Sequence, residues 1–187
     1  MTKSVTIFGG FLEPNSKQAK DMFELGSFLS SYDDTTYYIG GLGGFAKSLI
    51  GGIENTRVSV VVVGSKQGKE NGFVVQETNK IKAVYPDGYF GKKQKLFDSN
   101  VSAFLILPAS DSSLGTMTEI IEAIDHIKSF DLMVGQKPRP VVFYGKYWRS
   151  FIEEILQSRI NASTKDYIHF VDEKKYDKLA ELLQLKK

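Results

Sequence analysis

Residues 58–63 read Val-Ser-Val-Val-Val-Val, an almost unbroken β-branched run. A strand with one face in water alternates apolar and polar residues. A run this uniformly apolar is the mark of a strand covered on both faces, as in the middle of a parallel sheet. Shorter apolar runs at residues 5–8, 35–39, 103–107, 141–144 and 167–171 are candidates for its neighbours. Between them lie stretches of helical period at residues 16–30, 45–53, 116–130, 148–158 and 173–185. In the third of these, Met117, Ile120, Ile121, Ile124 and Ile127 recur at the three- and four-residue spacing of one helix face. Alternation of this kind predicts an α/β fold with a doubly wound, mainly parallel sheet and helices on both faces. Residues 65–91 interrupt it. They are polar and turn-rich, with a short strand expected near 81–85 and a helix around 92–98.

The chain has 187 residues, the length of one domain spanning 1–187. No low-complexity linker divides it, and Lys137-Pro138-Arg139-Pro140 reads as a short loop before a strand. A net charge of +2 creates no strong field for a polyanion, so nucleic acid is not an expected partner. With no cysteine, disulfides, thiolate catalysis and cysteine-ligated metals are excluded. His126 and His169 have no partner at metal-ligand spacing and read as structural, so neither a metal nor a cofactor is expected. No apolar run approaches the roughly 18 residues of a membrane helix. The first, residues 5–8, is too short for a signal-peptide core. A cytoplasmic protein without membrane contact is the expectation.

In open α/β sheets, ligands bind beyond the carboxyl ends of the strands. Three turns at such ends are rich in glycine or small residues: Phe8-Gly9-Gly10-Phe11, Ile39-Gly40-Gly41-Leu42-Gly43-Gly44-Phe45, and the stretch from Pro108 to Gly115 and Thr116. Glycine lets backbone N–H groups approach an anion, and a helix N-terminus adds partial positive charge. A single such turn is equally well explained by packing, because a tight strand-to-helix turn needs glycine anyway. Three on one edge favour a small phosphate-bearing ligand, with Gly9, Gly10, Gly40, Gly41, Gly43, Gly44, Pro108, Ser113, Leu114, Gly115 and Thr116 as its candidate contacts. Gly41-x-Gly43-x-x-Ala46 also fits a loose dinucleotide fingerprint. The next strand, however, closes with Gly64-Ser65-Lys66 and lacks the acidic residue that would hold a ribose, which argues against NAD. Thr116-x-x-Glu119 ahead of an apolar stripe is a capping box; the alternative turns the Glu119 carboxylate towards a ligand at that helix end. Lys92-Lys93-Gln94-Lys95 is either a solvated helix face or a contact for a phosphate or leaving group. Neither a nucleophile elbow nor a Walker lysine is present.

Taken in order, these segments resemble the Lonely Guy (LOG) family, often labelled lysine-decarboxylase-like, over nearly the whole chain. Val5-Thr6-Ile7-Phe8-Gly9-Gly10 is similar to the family's first strand and turn. Tyr38-Ile39-Gly40-Gly41-Leu42-Gly43-Gly44-Phe45 resembles its Tyr-Gly-Gly-Gly-x-x-Gly-Leu turn. Phe104 to Pro108, with Gly115-Thr116-Met117-Thr118-Glu119, resembles its Leu-Pro-Gly-Gly-x-Gly-Thr-x-x-Glu signature. Lys137-Pro138 before Val141-Val142 is similar to its Lys-Lys-Pro-Val strand entry, and Tyr147-Trp148 falls where a Gly-Tyr-Tyr opens the next helix. The resemblance implies a modified Rossmann fold, a homodimer, and removal of the base from nucleoside 5′-monophosphates, cytokinin ribotides among them. It makes Glu119 catalytic and, by spacing, puts Lys93 where the family has its catalytic arginine. The helices at 45–53 and 116–130 would supply an isologous interface. The chain departs from the pattern in two places. The stretch from Ala109 to Leu114 is longer than the family's loop and lacks its two early glycines, and Lys93 keeps the charge but not the bidentate fork of an arginine. Both departures also fit a protein that binds a nucleotide or phosphate ligand without turning it over.

Overall fold

The computed structural model describes residues 3–10, 15–41, 43–53, 57–72, 74–98, 100–109, 114–127, 135, 137–156 and 160–186. Seven strands alternate with helices: β1 (Lys3–Phe8), α1 (Ser16–Leu29), β2 (Thr35–Gly40), α2 (Phe45–Gly52), β3 (Ser59–Val63), α3 (Lys66–Glu70), β4 (Ile81–Val84), α4 (Gly88–Leu96), β5 (Ala103–Ile106), α5 (Leu114–His126), β6 (Val141–Tyr144), α6 (Arg149–Phe151), α7 (Ala162–Lys165), β7 (Ile168–Val171) and α8 (Tyr176–Leu182). A π-helical turn, Ile152–Leu156, follows α6. The strands form one sheet in the order β4-β3-β2-β1-β5-β6-β7, and every pairing is parallel. This is the doubly wound, Rossmann-like α/β architecture that the alternation predicts.

Side chains of successive strand residues leave on opposite faces, and the two faces bury separate cores. Val5, Ile7, Tyr37, Ile39, Val60, Val62 and Leu105 pack with α1, α2 and α8. Phe8, Val63, Phe104, Ile106, Val141 and Phe143 pack with α4, α5 and Trp148. The two polar side chains of β1 on this second face, Ser4 and Thr6, are buried and satisfied: Ser4 donates to the Asn100 carbonyl and Thr6 to the Leu96 carbonyl at 2.7 Å. The order reverses between β1 and β5, so the crevice of a doubly wound sheet falls there.

Four details differ from the sequence reading. Helix α4 starts at Gly88 rather than near 92, because Gly88 takes φ +62, a left-handed entry that few other residues accept. Helix α3 lies inside the supposed excursion, with the Ser65 side chain accepting from the Gly68 N–H as its cap. The helix expected at 148–158 is a three-residue α6 running into the π-helical turn. Helix α5 starts at Leu114, two residues before Thr116. No helix among the described residues is long and apolar enough to cross a membrane.

Candidate functional site

Register levels the carboxyl edge of the sheet. Val84, Val63, Gly40, Phe8, Ile106 and Phe143 are successive partners across six strands, so the turns that follow them open side by side. The first turn and the third are laced together. The Gly10 N–H donates to the Pro108 carbonyl at 3.0 Å, and a Cβ on Gly10 would collide with the Ala109 backbone. Gly9 lies against Leu107. Close packing of two strand ends therefore accounts for glycine at position 10. The Trp148 indole fixes the same corner by donating to the Leu107 carbonyl at 2.9 Å.

Helix α5 enters over this corner. Thr116 is its third residue, is buried, and donates its hydroxyl to the Gly9 carbonyl at 3.2 Å. A capping box would need Thr116 ahead of the helix, so that reading is corrected: Thr116 ties α5 to the first turn, and Glu119 is engaged elsewhere. The Glu119 carboxylate accepts from the Lys92 ammonium at 3.2 Å, with the two side chains 12% and 23% exposed. It also borders Gly40, where a Cβ would approach its Oε1 to 3.5 Å. Burial holds the Glu119 carboxyl above the usual glutamate range, and the Lys92 cation only partly opposes that. A buried carboxylate with one cation, at the carboxyl edge of a doubly wound sheet, is a pattern of functional sites.

The basic cluster divides its work. Lys92 meets Glu119, whereas Lys93 forms an ion pair with Glu122 and sits 4.3 Å over the Tyr89 ring. Burial pulls Lys93 down, but its hydrogen bonds to Glu122 and Tyr89 hold it above the usual lysine range. Lys95 lies over Tyr38 at 5.6 Å. The structure thus brings Glu119 together with Lys92, not with Lys93. Sequence reasoning placed Lys92 only within the basic cluster, singled out Lys93 instead, and missed Glu122. The available signal was two carboxylates three residues apart on one helix face, facing consecutive lysines on another.

A cleft of about 610 Å³ opens where β2 and β3 end, and Lys92 lines it. Gly41 and Gly43 from the second turn, Gly64 from the end of β3 and Tyr89 from α4 form parts of its wall. Gly41 takes φ +108 and Gly44 φ +59, the latter directly before α2, so these positions need glycine for backbone conformation. Among the described residues nothing lies within 4 Å of a Cβ added at Gly115, and Leu114 is exposed. Ser113, with Asp111 and Ser112, lies outside the described residues, as does Leu42.

His126 stacks on Phe97 at 4.8 Å, and its Nδ1 accepts from Arg139 at 3.1 Å, while His169 lies in β7. Among the described residues no cluster of His, Asp and Glu is arranged to hold a metal ion. No protein-family model matches the chain, and no curated protein matches its sequence.

Proposed function

We propose that the chain binds a nucleoside 5′-monophosphate at this edge and hydrolyses its N-glycosidic bond, as a divergent relative of the LOG phosphoribohydrolases. The observation that carries the reading is the Lys92–Glu119 pair: Glu119 is buried beside Gly40, and half-buried Lys92 lines the cleft. Breaking an N-glycosidic bond leaves positive charge on the ribose, in an oxocarbenium-like transition state. An ionised Glu119 stabilises that charge and orients the attacking water. The water oxygen bonds to C1′, one of its protons is released, and the base departs with the bonding electrons and takes up a proton. Lys92 favours the anionic form of Glu119 against the effect of burial, and with Lys93 engaged by Glu122, Lys92 is the lysine left to face the phosphate or the departing base, the contact that the resemblance gives to Lys93. The 5′-phosphate rests on backbone N–H groups of Leu114, Gly115 and Thr116, because the N-terminal end of a helix favours an anion.

Incubation with AMP and other nucleoside monophosphates, followed by chromatography for free base, tests the reading. Release that disappears in Glu119→Gln is expected; no release at high enzyme concentration contradicts hydrolysis. A second reading, binding without turnover, is favoured by one observation: Lys93, at the position of the family's arginine, is engaged by Glu122 and Tyr89. Its signature is a nucleotide-dependent rise in melting temperature with no product formed.

The resemblance also makes a homodimer part of the proposal. Of the two helices expected at its interface, α2 buries Phe45, Ala46 and Leu49 in the core, whereas α5 leaves Ile121 50% exposed. Interface formation therefore falls mainly to α5, and a monomer by light scattering at micromolar concentration would contradict it.

A further inference from the structure

Helix α4 opens with two exposed aromatic residues, Tyr89 at 54% and Phe90 at 85%. Large rings left in water forgo the burial that normally stabilises them, and an exposed ring at the wall of a cleft has a surface to offer a ligand. Tyr89 lines the same cleft as Lys92. Its ring is held from two sides. The Lys93 ammonium, fixed by its ion pair with Glu122, covers one face at 4.3 Å, and Phe90 meets the ring edge-on at a centroid distance of 6.3 Å. The neighbouring wall includes Gly41, Gly43, Gly64 and Gly68, which keep much of it low, with Ser65, Lys66 and Gln67 completing it. A braced aromatic ring beside a glycine-lined wall suits a flat aromatic ligand.

We propose that Tyr89 is the residue on which the ligand's base stacks, which orients the nucleotide along the edge of the sheet. This rests on the nucleotide reading above and adds a direction to it. The phosphate end lies at Gly115 and Thr116 over the β1–β5 crevice, the ribose passes Glu119, and the base enters the β2–β3 cleft against Tyr89. The glycosidic bond then falls at the Lys92–Glu119 pair, between the two ends. Within the basic cluster, Lys93 becomes the support of the stacking ring.

The test compares binding of AMP and of ribose 5-phosphate, by calorimetry, to proteins carrying Glu119→Gln to prevent turnover. Ribose 5-phosphate has the phosphate and sugar but no ring. Stacking on an aromatic side chain is worth about 1–3 kcal/mol by alanine substitution, so Tyr89→Ala is expected to weaken AMP by about 5- to 150-fold while leaving ribose 5-phosphate unchanged. Tyr89→Phe, which keeps the ring, is expected to bind both as the parent does. Unchanged AMP affinity in Tyr89→Ala, or equal loss of both ligands, would overturn the stacking role while the site reading stands. Failure of the parent to bind either ligand would overturn the site reading and the stacking role with it.

Discussion

Glu119 sits where its charge is disfavoured, with burial outweighing the help from Lys92. Its carboxyl therefore holds a proton more tightly in the native protein than in the unfolded chain, whose value is near the ordinary 4.5. Stability must fall as pH rises from that unfolded value through the raised native one, because the unfolded state loses its proton first. Glu119→Gln has nothing to titrate there. Its melting temperature relative to wild type is predicted to rise across that window and then level off; a pH-independent difference would contradict the assignment. In the proposed hydrolysis the sign is opposite, since that step uses the ionised carboxylate. The acid limb of the pH–rate profile should lie above the ordinary glutamate range. Removing the cation sharpens the contrast. Lys92→Met leaves a buried carboxylate without its partner, predicted to cost about 1–3 kcal/mol at neutral pH in chemical denaturation and to move the acid limb higher. Lys93→Met, one residue on, should move that limb in the same direction but less, because Lys93 acts on Glu119 more weakly than Lys92 does. Glu119 was legible in the sequence because its spacing from Thr116 is a motif in its own right. Lys92 was not, because consecutive lysines on a helix differ only in the direction each one faces, and that follows from the docking of α4 on α5.

At the level of elements, α1 and α2 approach more closely than side chains usually allow. A Cβ on Gly26 would collide with the Leu49 carbonyl, and one on Gly52 with the Phe23 carbonyl. The contact is reciprocal and backbone to backbone, so no rotamer change relieves it. Gly26→Ala is predicted to destabilise by about 1–3 kcal/mol in chemical denaturation, although alanine is the better helix former. Equal or greater stability would show that the helices can separate at no cost. The two kinds of element were not equally legible. Strands buried on both faces announce themselves by β-branched runs, and β3 and β6 lie within one residue of where those runs put them. Helix α3 has five residues with no buried face, so it carries no hydrophobic period to read. The start of α4 was hidden because Pro86-Asp87-Gly88 has the composition of a turn, and it is one: the left-handed Gly88 ends the turn and begins the helix.

Over the whole molecule, strand order and register put the pieces of the site in reach of one another. The level row through Val63, Gly40, Phe8 and Ile106 brings turns far apart in sequence onto one edge. Helix α5 spans from the β1–β5 crevice, through Thr116, to the end of β2, through Glu119. Alternation along the chain was enough to predict a parallel sheet with helices on both faces. It could not predict that the cleft would open over β2 and β3, because that depends on how α3 and α4 part at the edge. The most direct measurement is a crystal structure of the Glu119→Gln protein with AMP bound. The account predicts the phosphate on the backbone N–H groups of Gly115 and Thr116, the ribose against residue 119 and Lys92, and the base in the cleft beside Tyr89. AMP found at any other part of the surface, with this edge empty, would contradict it.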